Sequence, residues 1–174
     1  MDFDLTDLDG YIDNAPYDEI KVISPNMYYG ELIMNDYSGI EGKLTQYLQY
    51  RFHYYTAKQN KPKIAVYMKK LAKVKEIHME MFAELLFVLG TVPAYRVGLV
   101  SGNDKWDSTN VTYGKTLKDQ LEADLELGYR TIRNYNAHIK LISDPFIKKF
   151  LERILADEEL HIKWLEYMIK EETN

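Results

Sequence analysis

Residues 150–166 read FLERILADEELHIKWLE, and the spacing within this stretch decides the fold. Phe150, Ile154, Leu165 and Ile169 recur at helical intervals and define one apolar face. Glu158 and His161 fall on that face rather than on the solvated one, so two ionisable side chains point into a core. Burying an unpaired carboxylate costs roughly several kcal/mol, so Glu158 requires a cation nearby. A Glu-x-x-His pair on the inward face of a long helix is also how four-helix bundles of the di-iron and di-manganese type hold metal. Such bundles use a second Glu-x-x-His helix and two further glutamates.

Working outward, the same helix begins at Ser143-Asp144-Pro145, where Asp144 caps and Pro145 takes the first helical position, and it continues to about Lys170. The preceding helix spans about Lys115 to Ile142 and buries Leu117, Leu121, Leu125, Ile132, Tyr135 and Ile139. Gly128 sits in the middle of its stripe, and Asp124 borders it one turn earlier. Before that lies a polar connection, about Thr91 to Tyr113, with Pro93, Gly98, Gly102, Asn103 and Asp104. A loop this long is uncommon unless it has a role, and crossing the length of a bundle is one.

A helix from about Lys63 to Leu89 stops at Gly90. Its core face carries Lys75 and His78, so Lys-x-x-His stands where a metal bundle shows Glu-x-x-His. The first helix is expected from about Met27 to Gln59, ended by Lys61-Pro62 and weakened by Gly30, Gly39 and Gly42. Its inward stripe takes in Gly39, Lys43, Tyr47, Tyr50 and Tyr54. Residues 1–25, with four Asp in the first nine positions and no helical period, read as an extended arm preceding a bundle over 26–174. Four helices with one long crossover between the second and third define an all-α, ferritin-like bundle.

Composition narrows the function. The net charge of −5, with Lys and Arg spread along helix faces, argues against nucleic acid as a partner. The absence of cysteine removes disulfides, thiolate metal sites and thiol nucleophiles. No stretch approaches the roughly 20 apolar residues of a membrane span, and the acidic start lacks the pattern of a signal peptide. A cytoplasmic protein is the expectation.

The stretches GIEGKLTQYLQYRFHYY, KVKEIHMEMFAELLFVLGTVPAYR, KWDSTNVTYG, LELGYRTIRNYNAHIKLISD and ILADEELHIKWLE together resemble the ferritin-like proteins. The branch they resemble most is that of the bacterioferritin and manganese-catalase-like proteins of clostridia and their relatives. The resemblance covers about residues 16–170. It implies one ligand Glu on the first and third helices and Glu-x-x-His on the second and fourth. Laid on those motifs, the first-helix glutamate falls on Lys43, the second-helix glutamate on Lys75 with His78 kept, and the third-helix glutamate on Gly128. The fourth-helix pair is intact as Glu158 and His161. Glu41, Glu76 and Glu126 lie near the lost positions, but an offset of two residues turns a helical side chain about 200°.

The expectation is therefore a degenerate centre in which Lys43 and Lys75 replace metal charge, pairing with Glu158 and with Asp124 if it turns inward. The protein would be non-catalytic and without cofactor, with a structural or interaction role, a homo-oligomer, and open to coat-like assembly as the resemblance allows. The alternative is an Fe or Mn oxidoreductase or iron-handling protein with a remodelled site at His78, Glu158, His161 and, with them, Asp124. His78 and His161 otherwise read as core histidines bonded to neighbours such as Asp157. The tyrosines at 47, 50 and 54 read as packing. His53 and His138 show no partner and read as ordinary polar positions. Haem of the bacterioferritin kind uses a Met where Glu76 stands, so no haem is expected.

Overall fold

The structure, a computed structural model, describes residues 4–98 and 104–173. Gly102 and Asn103 of the crossover, and residues 1–3 of the arm, lie outside the described residues. The helices are α1 (Met27–Ser38), α2 (Lys43–Asn60), α3 (Pro62–Val88), α4 (Leu117–Leu141) and α5 (Pro145–Thr173). In the main bundle α2 packs on α3 and α4 on α5, and α1 lies against α3 and α4 at one end. Among the described residues there are only isolated β-bridges, Asp9 with Ile12 and Arg96 with Lys105. No described helix is long and apolar enough to cross a membrane.

The expected first helix is two helices. Asn26 caps α1 through a bond from Tyr29 N at 3.0 Å, and α1 stops at Ser38. A tight break packed against the last turn of α1 follows, and the chain continues in the same direction along α4, Asp36 meeting His138 and Gln46 meeting Thr131. A Cβ on Gly39 would stand 2.6 Å from Asn35 O, and one on Gly42 would stand 2.7 Å from Gly39 N. Side chains at these two positions would strike backbone, so the glycines that weaken a helix here permit a close-packed break between two helices. The helix restarts at Lys43, which becomes the first residue of α2.

The other boundaries follow local chemistry. Pro62 opens α3, where its missing N–H costs nothing. Gly90, at φ +82°, closes it in the left-handed region, with Thr91 N donating to Leu86 O at 2.9 Å. Thr116 and Asp119 form a capping box at the start of α4, and Asp144 accepts from Phe146 N at 2.9 Å at the start of α5. The crossover is pinned along its course, as Trp106 donates to Thr45 Oγ1 at 2.8 Å and Thr112 N to Gln49 Oε1 at 2.7 Å.

The described arm residues have no helix and run over α3 and α5. Tyr11 stacks on Trp164 with ring centroids 4.6 Å apart. Trp164 Nε1 donates to Gly10 O, and Arg153 donates to Ala15 O and Asp13 O. The core beneath is apolar at both ends, with Met68, Leu71 and Val74 towards one and Phe82, Leu85 and Ile147 towards the other. Its middle layer is not apolar, and that layer is the candidate site.

Candidate functional site

Helical spacing brings one side chain from each of α2 and α3 and two from α5 to a common point. Lys43, Lys75, Glu158 and His161 are each at most 1 % exposed, so every charge here is settled by protein neighbours. Lys75 Nζ donates to Glu158 Oε1 at 2.6 Å and Oε2 at 2.5 Å, and to His161 Nδ1 at 2.8 Å. Lys43 Nζ donates to Glu158 Oε1 at 2.7 Å and to Gln46 Oε1 at 3.0 Å. Both carboxylate oxygens are thus held by ammonium groups, which also lie over aromatic faces: Lys43 is 5.1 Å from the Tyr135 centroid and Lys75 5.5 Å from that of Tyr50.

The electrostatics follow from burial and these contacts. Burial alone would raise Glu158, but Lys43 and Lys75 outweigh it and hold the carboxyl well below its ordinary range. Burial pulls Lys43 down against the attraction of Glu158. Burial, with the repulsion of Lys43, brings Lys75 down to about 7. His161 is pushed down to about 3 by burial and then by the Lys75 charge, so it is neutral near pH 7. Its Nε2 donates to Tyr11 O at 2.7 Å, which leaves Nδ1 as the acceptor facing Lys75.

A second cluster adjoins the first. His78 Nε2 lies 2.8 Å from Asp157 Oδ2, the neighbour anticipated for it. Asp157 also accepts from Tyr17 Oη at 2.6 Å, Asp13 N at 2.6 Å and Arg153 at 2.6 Å. Burial opposes its ionisation, but His78 and these donors outweigh it and lower its pKa. His78 Nδ1 has no hydrogen-bond partner among the described residues and stands 3.7 Å from Glu158 Oε1. The hydroxyls of Tyr50 and Tyr135 are likewise buried without a partner among the described residues.

Asp124 does turn inward, but its hydrogen bonds come from other residues than the lysines. Gln49 Nε2 donates to it at 2.8 Å and His53 Nδ1 lies 2.7 Å away. Burial raises Asp124, with His53 and Gln49 partly offsetting. The expectation that His53 and His138 lack partners is corrected: His53 also lies 2.8 Å from Thr112 O through Nε2, and His138 Nδ1 is 2.8 Å from Asp36 Oδ2. The three glutamates close to Lys43, Lys75 and Gly128 in the sequence lie elsewhere, Glu41 beside Arg130, Glu76 beside Lys73 and Glu126 beside Arg133. At Gly128 the space beside the backbone is taken by Ile162, whose Cδ1 would stand 2.8 Å from an added Cβ.

Sequence reasoning did not find Gln46, Tyr11, Tyr17 or Arg153 as parts of this layer. Gln46 was findable, since it lies one turn beyond Lys43 on the same face. Tyr11 acts through its backbone carbonyl, which no side-chain pattern reveals.

This donor set does not fit a dinuclear metal centre. Such a centre needs several carboxylates to balance about four positive charges. Here one carboxylate lies in the middle, both its oxygens are bonded to ammonium groups, and His161 has both nitrogens engaged. No group of three or more His, Asp or Glu is arranged to hold an ion among the described residues.

The ferritin-like domain family model matches residues 43–173. Bacterioferritins of Mycobacterium bovis and Mycobacterium tuberculosis are 30% identical to this chain over 97 residues, which is 53% of it and 54% of each of them. The chain thus matches about half the length of these curated relatives. KatB, a manganese catalase from Anabaena, superposes with a TM-score of 0.82 at 18% identity, covering 91% of this chain and 78% of that one. The bacterioferritin BfrA of Mycobacterium tuberculosis superposes with a TM-score of 0.71 at 23% identity, covering 85% and 87%. These two likenesses show the fold. From the family match over most of its length, the chain belongs to the ferritin-like domain family.

Proposed function

We propose that this is a ferritin-like protein whose dinuclear centre has been exchanged for a buried ion-pair network, and that its role is structural or interaction-based rather than catalytic. One observation carries the reading: the single central carboxylate, Glu158, is bonded through both oxygens by Lys43 and Lys75. Two ammonium groups there repel an incoming cation and occupy the atoms that would bind it. Lys43 also stands at the positive end of α2, where a carboxylate would be favoured and a cation is not, so Glu158, helped by Gln46 and the Tyr135 ring, holds it there against the helix dipole. In the same reading the protein works as a homo-oligomer.

The test is restoration. Lys43→Glu, Lys75→Glu and Gly128→Glu together return three carboxylates to the layer, the last requiring Ile162 Cδ1 to move. The triple variant is expected to take up iron or manganese that the parent chain does not. Equal uptake by both would contradict the reading and favour a remodelled centre at His78, Glu158 and His161.

A further inference from the structure

Residues 18–21 of the arm run over a cavity of about 190 Å³ between α3 and α5. Its apolar walls are Ile20 from the arm, Met81 and Leu85 one turn apart on α3, and Phe146 and Phe150 one turn apart on α5. Met81, Leu85 and Phe150 are each at most 8 % exposed and form a floor. Phe150 is fixed edge-on against Phe82, with centroids 5.1 Å apart. The buried Arg153 closes the end nearest Asp157.

Every charged side chain that lines this cavity already has a partner. Arg153 donates to Asp157 and to the carbonyls of Asp13 and Ala15. At the exposed rim Lys149 pairs with Asp18 at 3.0 Å and Lys21 with Glu19 at 3.1 Å, and Lys21 Nζ also lies 5.0 Å from the Phe146 centroid. A charged ligand would give up its water without meeting a free counter-ion, a loss that an uncharged one does not bear. Size narrows the ligand further. An apolar cavity of about 150 Å³ takes one benzene ring, so this one has room for a ring with about one or two further carbons. Two phenylalanines and a methionine sulfur favour an aromatic ring over an alkane of that volume.

We propose that this cavity binds a small uncharged molecule built on a single aromatic ring, and that its occupancy holds the arm against α3 and α5. Ile20 reaches the ligand only while the arm is docked, so a ligand that uses the complete cavity favours the docked state. Arg153 ties the same cavity to the arm backbone through Asp13 O and Ala15 O. Asp13 N in turn donates to Asp157 at 2.6 Å, beside His78. The cavity lies outside the cluster of Lys43, Lys75 and Glu158, so binding here goes beyond the function put forward above and does not depend on it.

Methyl NMR of the full chain labelled at methionine tests it, with toluene as the probe and benzoate and benzylamine as charged controls of similar size. Toluene is expected to shift the Met81 methyl saturably, with a Kd of about 1 mM or tighter, and to leave the buried Met34 and Met68 unmoved. At about 5 mM toluene the Asp13 amide is expected to exchange with solvent about fivefold more slowly. Neither charged control is expected to shift Met81. Ile20→Trp, which fills the cavity from the arm, should abolish the toluene response. If that variant undocks the arm, seen as faster Asp13 exchange without ligand, Leu85→Phe fills the cavity from α3 instead. No saturable Met81 shift with toluene, or one that survives both filling variants, overturns the site. An equal response to benzoate or benzylamine overturns the uncharged ligand class, and a Met81 shift without slower Asp13 exchange overturns the hold on the arm.

Discussion

Replacing Lys75 by methionine keeps the length and apolar stem of the side chain but removes an ammonium that makes three bonds of 2.5–2.8 Å, two to Glu158 and one to His161. Breaking a buried pair by removing one partner costs about 3–5 kcal/mol, because the survivor is left charged in a poor solvent. Glu158 keeps Lys43 at 2.7 Å, so the lower end, about 3 kcal/mol, applies. For a domain of this size each kcal/mol moves the melting temperature by about 2–4 °C, which gives a fall of roughly 6–12 °C. Lys69→Met, at an exposed position of the same helix, is expected to stay within about 0.5 kcal/mol of the parent. Urea unfolding followed by circular dichroism measures both. If the two variants were equally stable, Lys75 would not be supporting a buried carboxylate, and the ion-pair account of the layer would fail.

Other predictions concern the neighbouring groups. His161 is held neutral with a pKa pushed down to about 3, while an unfolded histidine titrates near 6.5, so the unfolded chain takes up a proton that the fold refuses. Stability is therefore expected to fall as pH drops below about 6.5, by about 2 kcal/mol at pH 5 from this residue. The His161 ring should show no NMR titration between pH 5 and 9, and a midpoint inside that range would refute the assignment. His138 goes the other way: burial lowers it, but the bond and charge of Asp36 outweigh that and raise its pKa. Its contribution is then present below about 6.5 and lost as pH rises through the raised value, so the stability difference between parent and His138→Gln should shrink over that interval. His53→Ala leaves buried Asp124 with Gln49 as its side-chain donor and is expected to cost about 2–4 kcal/mol in urea unfolding.

Much of the fold was legible because burial leaves a period in the sequence. Gly90 and Asp144-Pro145 mark helix boundaries by chemistry that acts within a few residues, and the structure uses each as expected. The inward placement of Lys43 and Lys75 could be read from helical spacing, and both are fully buried. The break at Gly39–Gly42 was visible only as weakness, since the same glycines permit either a poor helix or a tight break between two helices. Contact between Gly39 and Asn35 decides between them. The partners of His53 and His138 were out of reach for a different reason. Asp124 lies 71 residues from His53, and Asp36 lies 102 from His138, so no local pattern links them. Much of the arm's part in the centre runs through the backbone of Tyr11 and Asp13, to which a side-chain pattern is blind.

The most direct test of the central claim is metal content by mass spectrometry, on protein expressed with added iron and manganese and purified without chelators or a histidine tag. The ion-pair account predicts less than about 0.1 ion per chain. About one ion per chain, lost in His161→Ala, would contradict it.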